Sequence, residues 1–187
     1  MIARRISTLL GRVRKDVSGL ALVEFALALP VLLMISLGGI ELAHYAIAVE
    51  RVSQIAMTAA DNAARVRDSY TGAANSIDEV DVNEVMSGAK YVGDSIQFAQ
   101  NGRIILSSVE NNAGNTGQWI RWQRCSGAKN VSSSYGAQGA GQNDATLVAG
   151  VGPTGNKITA AAGSAVMFVE AVYGRSQNEL TGCGLAQ

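Results

Sequence analysis

The chain has 187 residues, of which 48% are hydrophobic, 5% aromatic and 16% charged, and its formal net charge is zero. The aliphatic content excludes a disordered protein. One His and two Cys exclude His-cluster metal sites, Cys-rich zinc folds and iron–sulfur clusters held by this chain alone.

The first 19 residues are basic. They carry five Lys or Arg against Asp16 alone, whereas the remainder carries ten basic against fourteen acidic residues. A nucleic-acid-binding protein would spread its positive charge over a folded face, so the distribution argues against a nucleic-acid partner. A basic tip before an acidic body is instead typical of a membrane topology signal.

The next segment, LALVEFALALPVLLMISLGGI, contains Glu24 as its only charged residue. A helix of this length rises about 31 Å, which matches the hydrocarbon core of a bilayer. We predict a transmembrane helix over 20–41, with the N-terminus in the cytoplasm because the basic residues precede it. An ordinary secretory signal peptide is the alternative, although its apolar region would be shorter.

The presence of Glu24 requires an explanation, because a carboxylate inside an apolar helix raises the free energy of membrane insertion by about 2.5 to 3.5 kcal/mol even on lenient insertion scales. One interpretation places it near enough to the interface to reach water. The other makes it the counter-ion of a cation in an assembly, since an unpaired charge of either sign is expensive in lipid.

The helical pattern continues to about residue 67. An apolar stripe with a spacing of three or four residues is formed by Leu42, Tyr45, Val49, Val52, Ala56, Ala60 and Ala63. A stripe made largely of alanine lets another helix approach closely, so it suits packing against a neighbouring subunit. It suits equally well docking onto the chain's own folded body.

Residues 68–187 predict a small extracytoplasmic domain. Ser76 and Glu79 form a capping box before an amphipathic helix at about 77–91, whose acidic first turns are more typical of a solvated helix start than of a cation site. Strand patterns cover Arg103–Glu110, Gln118–Arg124 and Ala165–Tyr173, with a weaker strand at 157–160. The turn-rich connector NNAGNTG predicts an antiparallel hairpin between the first two.

Two Gly-rich stretches in this domain predict loops. SGAKNVSSSYGAQGAGQND is interpreted as a mobile surface loop rather than a second domain. GVGPTGNK, from Gly150 to Lys157, contains the spacing G-x-G-x-x-G, but a phosphate site needs a helix opening on the last glycine. Because Pro153 lies within it and a strand-like segment follows, we predict a loop without a nucleotide.

Cys125 and Cys183 are the only cysteines, and both fall in the predicted exterior domain. In an oxidising compartment a disulfide between them is expected, with buried free thiols as the alternative. A catalytic thiol would need a paired base, and the single His of the chain lies at the predicted membrane boundary.

The segment GLALVEFALALPVLLMISLGGIELAHY, with four apolar residues between Gly19 and Glu24 and with Phe25 next, resembles a class III prepilin processing site. More narrowly it resembles the opening of the TadE-like minor pilins, or pseudopilins, of the bacterial tight-adherence (Tad, Flp-type) system. The segments NGRIILSSV, WIRWQRCSG and ITAAAGSAVMFVEAVY resemble strand segments of that family's periplasmic domain.

The resemblance implies cleavage by a prepilin peptidase between Gly19 and Leu20, which leaves Glu24 as the fifth residue of the mature chain. Glu24 of one subunit would then neutralise the new amino terminus of a neighbour. Phe25 stands where the major Flp pilins usually carry Tyr, and the mature chain is much longer than a major pilin. Both features favour a minor pilin.

The predicted fold is therefore α+β, with a basic leader at 1–19, a long N-terminal helix at 20–67 and an extracytoplasmic domain at 68–187 that contains a short helix and an antiparallel sheet. The resemblance implies a non-enzymatic subunit of the bacterial inner membrane that acts in pilus initiation or tip formation, adherence and biofilm formation, without cofactor or metal. Its implied partners are other Tad minor pilins, the major Flp pilin, the prepilin peptidase, the inner-membrane assembly platform and membrane lipid.

Two alternatives remain open. One is a single-pass membrane-anchored periplasmic binding module that is not assembled into a pilus. The other is a periplasmic enzyme, for which the sequence offers no nucleophile and base pair.

Overall fold

The computed structural model describes residues 18–66, 77–114 and 116–174. Its helices and strands are α1 (Ser18–Arg65), α2 (Glu79–Val92), a 3₁₀ turn (Asp94–Ile96), the four-residue α3 (Phe98–Asn101), β1 (Gly102–Asn111), β2 (Gln118–Ser126) and β3 (Ala165–Tyr173). This order of elements confirms the predicted α+β fold. The chain divides into two compact units between Ile47 and Ala48, and α1 contributes residues to both.

α1 has 48 residues and continues through Pro30 without a break. In the second unit its buried face consists of Ile55, Ala59 and Ala63, which pack against the folded body. Docking onto the chain's own body is therefore confirmed for this part of the predicted stripe. The face itself differs from the prediction, because Ile55 and Ala59 occupy the centre of the contact and Val49 stays exposed.

α2 begins at Glu79, with Asp78 as its N-cap residue. The Asp78 N–H donates to Oδ2 of Asp81 over 3.1 Å, which satisfies one of the amides that a helix start leaves unpaired. The predicted capping pair of Ser76 and Glu79 is wrong, because the aspartates two residues later perform the same function. Ser76 itself lies outside the described residues.

The sheet has three antiparallel strands in the order β2-β1-β3, which confirms the predicted hairpin. A β-bulge interrupts the β1–β2 ladder, since Ser108 pairs with Trp122 while the next residue pairs with Ile120. The predicted strand at 157–160 is wrong: only one bridge forms, between Val151 and Ile158. The chain reverses too sharply around Pro153 to extend that bridge into a ladder, and Asn156 N–H donates to the Pro153 carbonyl over 3.0 Å.

One face of the sheet is covered by helices. Ile104 and Leu106 of β1 are buried against Ile55 of α1, Val85 of α2 and Phe98 of α3. The margins of this core are closed by partly buried residues of the outer strands, Trp122, Met167, Val169, Ala171 and Tyr173. Burial of these aliphatic and aromatic side chains is the main stabilising contribution of the second unit.

The other face of the sheet is covered by residues 126–151, which comprise the Gly- and Ser-rich stretch 126–144 and the residues that follow it. Tyr135 packs edge-to-face on Phe168 of β3, with ring centroids 5.4 Å apart, and Leu147 and Val151 are buried against Val109 of β1. The stretch predicted as a mobile surface loop, 126–144, is therefore part of a structural layer of the body. Its few apolar residues each meet a partner that is distant in sequence, so no local pattern indicates the contact.

The same segment closes the outer edge of β2. Ile120 N–H donates to the Ala140 carbonyl over 2.9 Å, and Gln118 N–H donates to the Leu147 carbonyl over 3.1 Å. Close approach requires glycine at position 141, where φ is +79° and a Cβ would overlap the Gln118 carbonyl oxygen.

Candidate functional surfaces

The first unit presents an apolar helical surface. Its large hydrophobic side chains between Leu20 and Ile47 are 39% to 75% exposed. Within the described residues α1 is the single helix that is long and apolar enough to cross a membrane, and its most apolar 18-residue window has a mean hydropathy of 2.4. An exposed apolar surface of this size is far above what a soluble monomer shows, so this helix is suited to a single-pass membrane anchor.

The predicted processing residues all lie at the beginning of this surface. Gly19, Leu20, Glu24 and Phe25 fall within the first turns of α1, and all four are exposed. Leu20 and Glu24 are one turn apart, the spacing at which side chains share a helix face. Within the described part of the chain Glu24 has no hydrogen bond or ion pair. The predicted leader up to residue 17 lies outside the described residues.

The acidic start of α2 contains an ion pair that links the helix to the sheet. Nε of Arg124 in β2 donates to Oε1 of Glu79 over 2.8 Å, and Nη2 of the same guanidinium donates to that oxygen as well. The hydrogen bond from Arg124 lowers the pKa of Glu79, and this effect exceeds the opposing effect of burial. Because Asp78 and Asp81 cap the helix, three of the four acidic residues at this helix start have structural roles; the four are Asp78, Glu79, Asp81 and Glu84.

Among the described residues, no group of three or more His, Cys, Asp or Glu side chains is placed to hold a metal ion. The segment from Gly150 to Lys157 forms the predicted loop. Its backbone turns back on itself through the Val151–Ile158 bridge, and no helix begins at its last glycine.

Cys125 lies near the end of β2, opposite Ile105 of β1, and it is not a free thiol. Its predicted partner, Cys183, lies outside the described residues. The Cys125–Cys183 pairing therefore stays a prediction.

Two further surfaces have no signal in the sequence. An open groove of about 260 Å³ lies between the end of α1 and α2, lined by Asn62, Arg65, Val66, Glu84 and Val85. The second surface is the outer edge of β3, which has no backbone partner within the described residues. Both depend on which elements become neighbours, and periodicity along one segment carries no information on that.

Comparison with known proteins gives one result for this chain. The family model described as TadE-like protein matches residues 19–65, a range that coincides with α1 and includes all four predicted processing residues. No curated protein and no solved structure matches the chain significantly. The predicted TadE-like resemblance is thus confirmed over α1, whereas the strand segments assigned to the family lie beyond the match. The TadE-like segment associates the chain with the Tad pilus system.

Proposed function

We propose that this chain, whose residues 19–65 carry the TadE-like segment, is a minor pilin (pseudopilin) subunit of a Tad/Flp-type pilus assembly machine. The observation that carries the proposal is the family match over a helix whose apolar side chains from Leu20 to Ile47 are exposed. Such a surface is unfavourable in water, and lipid or other apolar helices would cover it. Insertion in the inner membrane and later packing among pilin helices supply these two environments in turn.

The charge distribution supports an orientation with the N-terminus in the cytoplasm. The basic residues of the first 19 positions precede the apolar helix, as the positive-inside bias requires. In this orientation the bond between Gly19 and Leu20 lies at the cytoplasmic face, where a prepilin peptidase removes the leader. The second unit then lies in the periplasm.

Glu24 is proposed to act in assembly. Cleavage creates a positively charged amino group at Leu20, next to a segment that is otherwise apolar. Glu24 of a neighbouring subunit neutralises this charge, which lowers the free energy of holding both groups in lipid. The pairing requires that neighbouring helices lie at the same depth in the bilayer. It therefore favours ordered assembly with other minor pilins and with the major Flp pilin.

The second unit is proposed to have a structural role, without catalysis. It meets the other minor pilins and the assembly platform during pilus initiation or tip formation, and in this way contributes to adherence and biofilm formation. The disulfide between Cys125 and Cys183 is proposed to form in the periplasm, where it ties β2 to the C-terminal segment.

Mass spectrometry of the mature chain from native membranes tests the proposal. A chain that begins at Leu20 is expected. An intact Met1 would favour the membrane-anchored binding module, and a start after the apolar run would identify a secretory signal peptide. Gly19→Val places a branched side chain at the cleaved bond and is expected to block processing, whereas the matched control Ser18→Ala leaves it unchanged.

A further inference from the structure

β3 is an outer strand of the sheet, and its outer edge has no backbone partner along its length among the residues that the structure describes. The Gly174 N–H donates to the Asn101 carbonyl over 3.2 Å, which fixes the phase of the β1–β3 ladder. In an antiparallel pair, hydrogen-bonded residues alternate with residues whose backbone groups point to the other side. The outward-pointing residues of β3 are therefore Ala165, Met167, Val169, Ala171 and Tyr173. Each offers one N–H and one C=O to a further strand.

The two edges of the sheet differ in protection. The Gly-rich segment covers the edge of β2 through backbone hydrogen bonds to Gln118 and Ile120. Within the described residues, no segment covers the edge of β3. Proteins normally blunt an exposed edge, because a row of free amides and carbonyls is a template for another strand.

β3 also lacks the usual devices that prevent pairing. Its sequence AVMFVEAVY contains no Pro, Lys or Arg, and its ladder with β1 has no bulge. Glu170 is its only charged residue, and the carboxylate is bound to the chain's own loop. It accepts hydrogen bonds from the Ser133 hydroxyl and from the Ser134 N–H, the latter at 2.9 Å. The edge is thus apolar, regular and without a charge that repels a neighbour.

We infer that the free edge of β3 binds β3 of a second copy of this chain, antiparallel and around a twofold axis. With Val169 opposite its own counterpart, Met167 lies opposite Ala171, and Ala165 lies opposite Tyr173. Every outward-pointing residue of one strand then meets an outward-pointing residue of the other, so the full edge is hydrogen-bonded. Glu170 lies opposite Phe168, and no like charges face each other. The two three-stranded sheets become one continuous sheet.

The end of the chain itself is a poorer occupant for this edge. The proposed disulfide would hold Cys183 beside Cys125, and a disulfide requires Cα atoms within about 7 Å of each other. β2 is separated from the free edge of β3 by β1, and a strand outside β3 would lie about 14 Å from β2 at the usual spacing of strands. A second copy has no such restriction, and it supplies a strand of matching length and register.

The inference goes beyond the proposed function, since it concerns the second unit alone and does not depend on removal of the leader. It adds a contact between identical subunits to the helix contacts proposed for the membrane. Two membrane-anchored copies meet at a high effective concentration, which favours such an edge contact.

Register-specific cross-linking of the full-length chain in native membranes tests the inference. Val166 of one copy is expected to lie opposite Val172 of the other, in a pair without backbone hydrogen bonds whose Cα atoms are about 4.5 Å apart. Cells that express two differently tagged chains, one with Val166→Cys and one with Val172→Cys, should therefore yield a disulfide-linked dimer that contains both tags.

The matched controls are the single variants. Two copies of Val166→Cys place their thiols about 20 Å apart in the expected register, and the same holds for Val172→Cys, so neither should cross-link alone. A dimer with Val166→Cys alone would indicate another register and would overturn the inference. Absence of the mixed dimer in membranes where the chain is folded would also overturn the inference. Cross-linking of the thiols to another protein instead of to the second copy would have the same meaning.

A second pair of variants blocks the edge without removing a core side chain. Ala171→Pro deletes an outward N–H, a change that an edge strand tolerates, whereas Ala171→Val keeps the amide. In the cysteine background Ala171→Pro should lower the yield of mixed dimer by about tenfold, because the ring also clashes with an approaching strand, and Ala171→Val should not. An equal yield from both variants would contradict the inference.

Mass spectrometry of the N-terminus in the same samples reports on leader processing separately, so failure of the β3 contact and failure of the proposed function are recognised independently.

Discussion

At the scale of single residues, Glu24 distinguishes α1 from an ordinary membrane anchor. It is the only charged residue in the apolar run and lies within the TadE-like match. A carboxylate at this depth opposes insertion, so its presence favours a role that only the assembled state fulfils. Glu24 lies one turn after Leu20, so the amino terminus that the proposed cleavage would create is the natural cation for it.

We predict that Glu24→Ala leaves membrane insertion intact and lowers co-isolation with partner pilins. Insertion should become easier, because the substitution removes a cost of about 2.5 to 3.5 kcal/mol. Carbonate extraction measures insertion, and affinity purification from solubilised membranes measures co-isolation. Glu41→Ala is the matched control, since Glu41 lies on the same helix after the apolar run. Equal co-isolation of the two variants would refute the counter-ion role.

The ion pair between Glu79 and Arg124 predicts a pH dependence of stability. Hydrogen bonding from Arg124 lowers the pKa of Glu79 in the folded chain below its ordinary value. The pair therefore stabilises the fold at any pH above the ordinary pKa of Glu, and this contribution disappears as the pH falls through the lowered value.

Glu79→Gln should accordingly lower the free energy of unfolding by less than about 1 kcal/mol near neutral pH, because the Glu79 side chain is 62% exposed. The difference from the wild type should vanish in acid. Urea unfolding of the solubilised chain at neutral and at acidic pH measures this difference in the free energy of unfolding. Glu84→Gln, on the same helix, is the control and should show no such dependence. A constant difference down to low pH would contradict the assignment.

At the scale of elements, α1 serves two environments with one continuous backbone. Its residues in the first unit expose large aliphatic side chains, while Ile55, Ala59 and Ala63 in the second unit are buried. The sequence predicted the helix, because the pattern is local. It did not predict which face docks, since alanines lie on several sides of the helix between 56 and 64 and the choice depends on where α2 and the sheet lie.

The strands were predictable for the same reason. Alternating or continuous apolar residues between turn signals gave β3 with its observed bounds and gave β1 and β2 to within two residues. The Gly- and Ser-rich layer was not predictable, because its few apolar residues, among them Tyr135 and Leu147, follow neither a helical nor an alternating pattern. Their burial depends on contacts with Phe168 and Val109, which are distant in sequence.

Two glycines of this layer provide a test of its contact with β2. Gly139 and Gly141 both have positive φ, but a Cβ meets nothing at position 139 and overlaps the Gln118 carbonyl oxygen at position 141. Gly139→Ala should therefore cost only the strain of a left-handed backbone, about 1 kcal/mol. Gly141→Ala should cost clearly more, because it also separates the layer from β2. Thermal unfolding of the two variants measures the difference, and equal losses would show that the close approach contributes nothing.

At the scale of the whole molecule, the proposed disulfide joins β2 to the C-terminal segment. Closing a loop of about 58 residues stabilises a fold by roughly 4 kcal/mol in the chain-entropy model. Cys183→Ser should therefore lower the melting temperature strongly, and reductant should destabilise the wild type to the same level. The double variant Cys125→Ser/Cys183→Ser is the control and should match the single variant. A melting temperature that is insensitive to both treatments would contradict the pairing.

The candidate functional surfaces also differ in how far the sequence predicts them, because some depend on a local pattern and others on contacts between distant segments. The predicted processing residues Gly19, Leu20, Glu24 and Phe25 occupy one short stretch of α1, so a sequence pattern suffices to propose them. Within the described residues the outer edge of β3 is free because β1 takes the centre of the sheet and the Gly-rich layer covers β2 instead of β3. Neither the groove beside Glu84 nor this edge is encoded in any one segment.

The two tryptophans of the chain, Trp119 and Trp122, both lie on β2. Light at the red edge of indole absorption therefore excites only the tryptophans of β2, and the apolar helix, which contains no Trp, does not emit. Emission from these rings reports on the second unit alone, even while the protein remains embedded in a vesicle. The wild-type polypeptide thus contains its own fluorophore for following the body, and no dye has to be attached.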